Sequence, residues 1–377
     1  MRVLRQQKRD SSSSIFRIHM SYGLDFGGCE TQMVNLATEY ALRGLKGNIL
    51  FCSLTRGGIA EKRILELGFQ VVCLDLTIWD QPLISLFKIT RFLRRYSLSL
   101  LITTGSEANL FGGIASKFAD IHLVVTEEIG VRISSRKQRI FIRFAYKMAN
   151  YNFAVSKLAR DNLLQQGLVS PQKCLVSYAP LNLAKGEYKT LPLSREVELL
   201  YLGRIHPEKD LILLFSSLSK ILLDGQENFR LTIVGARTPE EHDYLKTSIK
   251  DFGLEGKTVI HHATNNPNVF IDNCHFLIQS SLSEGMGFSV LEAICRNKPI
   301  ISTNVGIVPE IIVNGIHGFV SKTHEMNSYV EALSHALSIK KIEYKVMTES
   351  VSRIDLSFAK TSKYLELLDS LGSKVVK

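Results

Sequence analysis

Short apolar segments alternate with segments of helical periodicity along the first half of the chain. The apolar segments predict strands at residues 15–20, 47–52, 71–74, 98–103 and 122–126. The segments between them predict helices at residues 30–42, 60–67, 83–96 and 109–118. Strands and helices that alternate in this way form a parallel sheet with helices on both faces.

The alternation is interrupted near residues 178–194, where Pro180, Gly186 and Pro192 occur, and then resumes. The second half predicts strands at residues 198–202, 230–234, 258–261, 276–279 and 299–302. It predicts helices at residues 211–223, 240–252, 289–296 and 309–313, and a last helix at 359–371. We therefore expect an α/β protein with two Rossmann-like, doubly wound domains that face a central cleft, where ligands of open sheets bind.

The interruption sets the expected domain limits. We expect an N-terminal domain at residues 1–180, a linker at 181–196 and a C-terminal domain at 197–355. For the C-terminal helix at 356–377, a return to the first domain is one alternative.

The first chemical motif lies where the strand at 276–279 runs into a glycine-bearing loop and a helix that starts near Gly287. A helix start carries unpaired N–H groups and a partial positive charge, both of which favour a phosphate. Glu284 lies in the loop and Glu292 lies eight residues later, in the helix. Both carboxylates can accept hydrogen bonds from sugar hydroxyls, although an ordinary loop charge and a solvated helix residue remain the alternative.

The second motif follows the strand at 198–202, where Gly203, Arg204 and Lys209 occur in one loop. An arginine offers a planar fork for a phosphate and a lysine offers a mobile point charge. The two cations could neutralise a leaving diphosphate, and an ordinary basic surface loop is the alternative.

Taken together, Gly-Arg-x-x-x-x-Lys and, about 75 residues later, Glu-x7-Glu resemble the retaining glycosyltransferases of family 4, which have the GT-B fold. The segments 304–310, 314–318 and 234–235 resemble further parts of that family's second domain. In the first domain, residues 153–157 look like its last strand, and Gly27-Gly28 resembles a glycine pair whose amides face the donor phosphate. The resemblance covers about residues 15 to 320.

The resemblance implies a role for each motif residue. Arg204 and Lys209 would hold the diphosphate beside Gly203, and Glu292 would bind the ribose hydroxyls. Glu284 would bind the transferred sugar, helped by the backbone amides of Met286, Gly287 and Phe288. Gly27 and Gly28 would approach the phosphates from the opposite domain.

One position departs from the family pattern. Glu128 stands where the family often has a histidine near the reacting sugar, so we treat it as a possible sugar contact. The chain also contains no Asp-x-Asp pair, with which metal-dependent sugar transferases commonly hold a divalent ion. We therefore expect no metal and no cofactor, with the two cations supplying the positive charge.

Composition narrows the cellular setting. No apolar run approaches the roughly 20 residues that span a bilayer, and residues 1–14 have no apolar stretch typical of a secretory signal. The six cysteines form no C-x-x-C pair, so we expect scattered thiols in a reducing compartment. These features predict a cytoplasmic protein.

The net charge of +10 is concentrated in the first half. Residues 1–190 contain 26 Lys and Arg against 14 Asp and Glu, a net charge of +12, and the remainder carries −2. Two predicted helices, at 83–96 and 136–148, are amphipathic and basic. Each has either an ordinary core face with a solvated basic face, or a surface that docks on an anionic membrane carrying a lipid-linked acceptor. We recognise no nucleic-acid-binding module and expect no nucleic-acid partner.

These expectations converge on a retaining, metal-independent hexosyltransferase. It would move a sugar from a nucleotide diphosphate donor to a glycan or lipid-linked acceptor, in cell-surface polysaccharide or glycolipid synthesis. A nucleotide-sugar epimerase of GT-B fold and a non-catalytic nucleotide-sugar-binding protein remain the alternatives.

Overall fold

The computed structural model describes residues 16–25, 27–128, 136–181, 191–193, 196–264 and 266–375. Seven strands of the first sheet are β1 Arg17–Ser21, β2 Ile49–Ser53, β3 Gln70–Cys73, β4 Leu100–Thr104, β5 Leu123–Glu128, β6 Tyr151–Ala154 and β7 Cys174–Val176. The helices between them are α1 Gly28–Leu42, α2 Ile59–Glu66, α3 Pro82–Leu93, α4 Ser106–Phe118, α5 Arg136–Met148 and α6 Lys157–Gln165. All strand pairs are parallel, in the order β3-β2-β1-β4-β5-β6-β7.

The second sheet contains β8 Val197–Leu202, β9 Phe229–Ala236, β10 Thr258–His262, β11 Phe276–Gln279, β12 Ile300–Ser302 and β13 Gly318–Val320. Its helices are α7 Leu211–Leu223, α8 Pro239–Asp251, α9 Asn268–Asp272, α10 Phe288–Cys295, α11 Val308–Ile311, α12 Met326–Leu337 and α13 Lys341–Ser352, and α14 Thr361–Val375 ends the described chain. The strand order is β10-β9-β8-β11-β12-β13, again all parallel. The prediction of two doubly wound α/β domains is confirmed.

The predicted pattern misses two short strands and several helices. Residues 153–157 do not contain the last strand of the first sheet, because β7 follows β6 and pairs with it. Both β7 and β13 have only three residues, too few to show a period of two. The helices α12 and α13 are also absent from the prediction, although Tyr329, Leu333 and Ala336 recur at helical spacing in α12 and are buried.

Each face of the first sheet has its own core. One core joins the sheet to α3, α4 and α5 through residues such as Ile89, Phe111 and Ala145. The opposite core contains residues of α1 and α2 together with Tyr364 and Leu368 of α14. The last helix is thus packed on the N-terminal sheet. Most of the expected linker, 182–190 and 194–195, lies outside the described residues.

The two sheets bring their functional loops to corresponding places. In the first sheet the strand order reverses between β1 and β4, and in the second it reverses between β8 and β11. Ligands of doubly wound sheets bind beyond the carboxyl ends of the strands at such reversals. Both predicted chemical motifs follow β8 and β11, the two strands at the reversal of the second sheet.

Helix length and composition bear on membrane insertion. Among the described residues, no helix combines the length and the apolar character that crossing a bilayer requires.

Candidate functional site

A cleft of about 580 Å³ lies between the two domains. The first domain lines it with residues that follow β1 and β4, and the second with residues that follow β8, β9, β10 and β11. Of the predicted site residues, the lining contains Gly27, Gly28, Gly203, Arg204, Lys209, Glu284, Met286, Gly287, Phe288 and Glu292. The roles given to these residues stay predictions, but the fold brings them all to one cavity.

Two glycines at the start of α1 bring the backbone of the first domain close to the second. A Cβ atom on Gly28 would lie 3.3 Å from the ring of Phe288, which is the first residue of α10. A Cβ atom on Gly27 would lie 2.6 Å from a carboxylate oxygen of Glu30. A larger residue in place of Gly28 would therefore press on Phe288 of the opposite wall, and one in place of Gly27 would displace the Glu30 side chain.

The loop before α10 is built to expose backbone N–H groups. Gly287 precedes the helix with φ 90°, a left-handed conformation that favours glycine. The N–H groups of Met286, Gly287 and Phe288 make no hydrogen bond to another described residue. Together with the positive end of α10, these amides form a site that favours an oxygen-rich or anionic ligand.

Lys209 and Glu284 form an ion pair that joins the two motif loops. Nζ of Lys209 lies 2.6 Å from Oε1 of Glu284, and both side chains are largely buried, at 20% and 12% exposed. The same carboxylate oxygen accepts a hydrogen bond from the Ser281 hydroxyl at 2.7 Å. The Ser280 hydroxyl in turn donates to the backbone carbonyl of Lys209 at 2.8 Å, which fixes the position of the lysine.

The guanidinium of Arg204 remains available to a ligand. It lines the cleft and forms no hydrogen bond or ion pair with the residues that the structure describes. The backbone carbonyl of Arg204 accepts a hydrogen bond from the Tyr201 hydroxyl at 2.8 Å, so the loop is held while the charged group is not.

Glu292 is a partly buried carboxylate on α10 that faces the cleft. Burial raises its pKa to about 7, and no nearby charge or hydrogen bond among the described residues opposes that shift. A carboxylate without a partner at a cavity wall can accept hydrogen bonds from a ligand's hydroxyl groups.

Glu127 and Glu128 are adjacent at the end of β5, and the structure describes the side chain of Glu127 but not that of Glu128. Glu128 is the last residue of β5 and its backbone pairs with Ala154, but its side chain lies outside the described part of the chain, as does the following loop 129–135. The role suggested for Glu128 stays a prediction.

Glu127, which the sequence reasoning did not select, is buried in the first domain. Its carboxylate accepts hydrogen bonds from Gln32 Nε2 at 2.7 Å, Thr104 Oγ1 at 2.5 Å and the Tyr364 hydroxyl. Burial raises the pKa of Glu127 to about 7, although these hydrogen bonds oppose the shift. Glu127 therefore ties α1, β4 and α14 together beneath the cleft.

Glu30 is a second acidic residue whose position the sequence did not indicate. It lies in the first turn of α1 and lines the cleft. Burial raises its pKa, while Arg204 and Arg237 of the opposite domain act in the other direction. Its carboxylate thus lies in the field of Arg204, one of the two cations expected to hold the donor phosphates.

The comparisons with known proteins agree with this geometry. Residues 189–351 match the family described as glycosyl transferases group 1. The chain is 23% identical over 223 residues to a Campylobacter jejuni N-acetylgalactosamine-N,N'-diacetylbacillosaminyl-diphospho-undecaprenol 4-alpha-N-acetylgalactosaminyltransferase, covering 58% of this chain and 60% of that protein. It is 27% identical over 187 residues to the Salmonella typhimurium O-antigen chain mannosyltransferase RfbU, covering 47% of this chain and 50% of the relative. The matches thus span less than two thirds of the length of these curated relatives.

Solved structures match over nearly the full chain. Anabaena HepE in complex with UDP and glucose superimposes with a TM-score of 0.78 at 18% identity, covering 95% of this chain and all of HepE. A Rickettsia africae glycosyltransferase gives a TM-score of 0.77 at 17% identity, covering 96% of this chain and 99% of the other. The chain therefore has the GT-B fold that the sequence predicts, and its second domain is similar to the glycosyl transferases group 1 family over residues 189–351.

Proposed function

We propose that this protein is a retaining glycosyltransferase that moves a sugar from a nucleotide diphosphate donor to a glycan or lipid-linked acceptor. The observation that carries the proposal is the cleft itself. There the Arg204 guanidinium, the Lys209–Glu284 pair, three unbonded amides and the Glu292 carboxylate face one cavity. Cations suit a diphosphate, and carboxylates and amides suit sugar and ribose hydroxyls.

The proposed reaction is mainly electrostatic. The bond between the anomeric carbon and the diphosphate oxygen breaks, Arg204 and Lys209 stabilise the leaving diphosphate, and an oxocarbenium-like centre develops. The acceptor oxygen bonds to the same face of the sugar, and its proton passes to a diphosphate oxygen. No protein nucleophile is assigned.

The relatives support the substrate class. The Campylobacter relative is named for transfer to a diphospho-undecaprenol-linked sugar, the Salmonella relative for O-antigen chain synthesis, and HepE is bound to UDP and glucose. We extend these to a cytoplasmic role in cell-surface polysaccharide or glycolipid synthesis, with a hexose as the transferred sugar.

A panel of nucleotide sugars tests the proposal. The protein is incubated with each donor, with and without membrane-lipid extract, and the products are followed by mass spectrometry and NMR. Acceptor-dependent transfer with an α-linked product from an α-linked donor is the expected result. A β-linkage would contradict retention, donor conversion without acceptor would favour an epimerase, and binding with no turnover of any donor would favour a non-catalytic protein.

We expect transfer to continue in the presence of EDTA. Arg204 and Lys209 supply two positive charges at the predicted diphosphate position, and the sequence has no Asp-x-Asp pair for a divalent ion. The measurement is the initial rate before and after chelation. If EDTA abolished transfer and Mg²⁺ or Mn²⁺ restored it, metal independence would be wrong.

Nucleotide-sugar binding should strengthen as the pH rises through about 7. Because burial raises the pKa of Glu292 to about 7, its carboxyl is mostly protonated below that pH and ionised above it. The ionised carboxylate accepts a hydrogen bond at each oxygen and can therefore bind two ribose hydroxyls. The protonated form carries a hydrogen on one oxygen, which makes that oxygen a donor. The measurement is calorimetric titration of the nucleotide sugar between pH 5.5 and 8.5, on the order of one to two pH units either side of that pKa.

The Glu292→Gln variant is the control for that titration. It should bind the donor more weakly at high pH and lose the pH dependence near 7, because glutamine does not titrate. A donor affinity of the wild type that stays constant from pH 5.5 to 8.5, a span of about three units, would separate Glu292 from the ribose site.

We also propose that the first domain docks on an anionic membrane, where a lipid-linked acceptor would lie. The structure changes the sequence interpretation of the two basic helices, because part of their apolar surface faces outward. In α3, Leu83 and Phe87 are 80% and 66% exposed, and in α5, Ile140 and Phe141 are 68% and 53% exposed. Because α4 packs between α3 and α5, these side chains belong to one helical layer.

Basic side chains surround those apolar residues. The exposed cations on or just after α3 and α5 are Lys88, Arg91, Arg94, Arg95, Arg136, Arg139, Arg143 and Lys147. Cations beside exposed large apolar side chains are typical of helices that lie in the interface of an anionic bilayer.

A further inference from the structure

The start of α6 in the first domain contacts the loop of the second domain that carries Glu284 and Met286. We call it the donor-sugar loop, because the proposed function assigns the donor sugar to it. Ser156 precedes α6 and is fully buried. Its hydroxyl oxygen accepts a hydrogen bond from the Ala159 N–H at 3.1 Å, as a helix-capping residue does. The same hydroxyl donates to the backbone carbonyl of Gly285 at 2.7 Å, between Glu284 and Met286.

Glu310 of the second domain makes a reciprocal contact with the same helix start. Its Oε1 accepts the Lys157 N–H at 2.7 Å, and its Oε2 accepts the Tyr178 hydroxyl at 2.8 Å. The Glu310 side chain is only 10% exposed. A carboxylate at the positive end of α6 satisfies a helix-start N–H that has no partner within the helix.

The loop is also held from its other side. The Ile307 N–H donates to the Met286 carbonyl at 2.9 Å. A Cβ atom on Gly306 would lie 2.6 Å from the same carbonyl oxygen, so only glycine allows this approach. The loop that carries Glu284 and Met286 is therefore enclosed between α6 of one domain and the start of α11 in the other.

This enclosure fixes the direction of an amide that the proposed function uses. The Gly285 carbonyl and the Met286 N–H belong to one planar trans peptide unit and point in opposite directions. Because Ser156 holds the carbonyl, it also holds the Met286 N–H facing the other way, where no described residue bonds to it.

We propose that Ser156 and Glu310 are positioning residues that couple the approach of the two domains to the geometry of the donor-sugar loop. The inference rests on the proposed function, since the loop's sugar-binding role belongs to it. Separation of the domains breaks both contacts, and the loop then loses the partner that orients the Met286 amide. Productive sugar geometry thus requires the closed arrangement.

Hydrogen exchange on the full-length protein tests the coupling without requiring activity. We expect Ser156→Asp and Glu310→Ala to speed exchange of the Ile307 amide, which donates to the Met286 carbonyl of that loop, by about tenfold, the effect of losing one hydrogen bond. An aspartate can still accept the Ala159 N–H that caps α6, but it cannot donate to the Gly285 carbonyl. Ser156→Asp therefore removes the contact between the domains and keeps the helix cap. Ser156→Thr keeps the hydroxyl and should exchange as the wild type does.

Glu343→Ala is the matched control, because Glu343 also accepts a backbone N–H at a helix start, that of Lys340 at 3.0 Å. It should leave exchange of the Ile307 amide unchanged. Unchanged exchange in both Ser156→Asp and Glu310→Ala, or equal acceleration throughout the second domain, would overturn the inference.

Kinetics give a second, separate readout. With whichever of UDP, GDP and ADP binds as the probe, the Kd of Glu310→Ala should stay within about twofold of the wild type, while kcat with the matching nucleotide sugar falls about tenfold. A parallel loss of nucleotide binding would indicate a merely structural role. If the wild type turned over no donor, the proposed function would fail, and the exchange result would still decide the coupling.

Discussion

Replacing Lys209 by methionine is expected to lower kcat/KM by on the order of a hundredfold, with little effect on folding. Loss of one charge-assisted hydrogen bond to a diphosphate oxygen costs about 1.5 to 3 kcal/mol, which corresponds to roughly ten- to a hundredfold. The structure adds a second cost, because Nζ of Lys209 also neutralises Glu284 at 2.6 Å. Without the lysine, an unpaired carboxylate that is 12% exposed would face the incoming diphosphate.

Arg204→Ala should lower kcat/KM at least about tenfold by the same loss of a phosphate contact. It leaves no described carboxylate without its partner, so its effect should be smaller than that of Lys209→Met. The comparison therefore measures how much of the lysine's effect comes from Glu284.

Lys257→Met is the control for both variants. Lys257 lies at the amino end of β10, pairs with Glu196 at 3.5 Å and donates to the Glu227 carbonyl at 2.6 Å, away from the cleft. Its turnover should match the wild type. Wild-type turnover in both Arg204→Ala and Lys209→Met would refute the assignment of the diphosphate site.

The parts of the site that the sequence predicted are those encoded by contiguous segments. A strand, a glycine-bearing loop and a helix follow one another directly at residues 198–223 and 276–295, so the periodicity and the glycines identify both. The parallel topology then brings the two loops together at the strand-order reversal.

The residues that the sequence did not reveal act through contacts between distant segments. Glu127 contacts Gln32 and Tyr364, which lie 95 and 237 positions away. Glu310 contacts Lys157 across 153 positions. No local pattern records such pairings, because they depend on how the sheets and domains pack.

Helical periodicity also left the outer surface of α3 undetermined. It separates Ile89, Phe92 and Leu93, which are buried, from the basic side chains. It does not show that Leu83 and Phe87 lie outside the core. An apolar residue at the edge of the apolar helix face fits the same periodicity whether a neighbouring helix covers it or leaves it exposed.

The exposed apolar and basic layer formed by α3 and α5 should bind anionic vesicles, and reversal of its charges should abolish that binding. The variant replaces Lys88, Arg91, Arg95, Arg143 and Lys147 with glutamate. Arg94 and Arg139 are kept because they donate to the carbonyls of Phe118 and Gln166 at the ends of neighbouring helices. Each cation near an anionic surface contributes about 1 kcal/mol, so five reversals should weaken partitioning by at least about a thousandfold.

Sedimentation with anionic and zwitterionic vesicles across a salt series is the measurement. Attraction to the anionic surface is screened over about 8 to 10 Å near physiological salt, so pelleting should fall as ionic strength rises. A second variant, Leu83→Ser with Phe87→Ser, keeps every charge and tests insertion. It should retain binding at low salt and lose the part that persists at high salt, because burial of exposed apolar area does not depend on screening.

A control of equal charge change separates local docking from net charge. Its five reversed residues are exposed lysines of the second domain, namely Lys246, Lys250, Lys322, Lys341 and Lys345. This variant should still pellet with anionic vesicles, and all the variants should bind the nucleotide as the wild type does, since the donor loops lie outside α3 and α5. Equal partitioning to both vesicle types, or no pelleting at low salt, would remove the support for a lipid-linked acceptor and leave the transferase proposal to stand on the cleft alone.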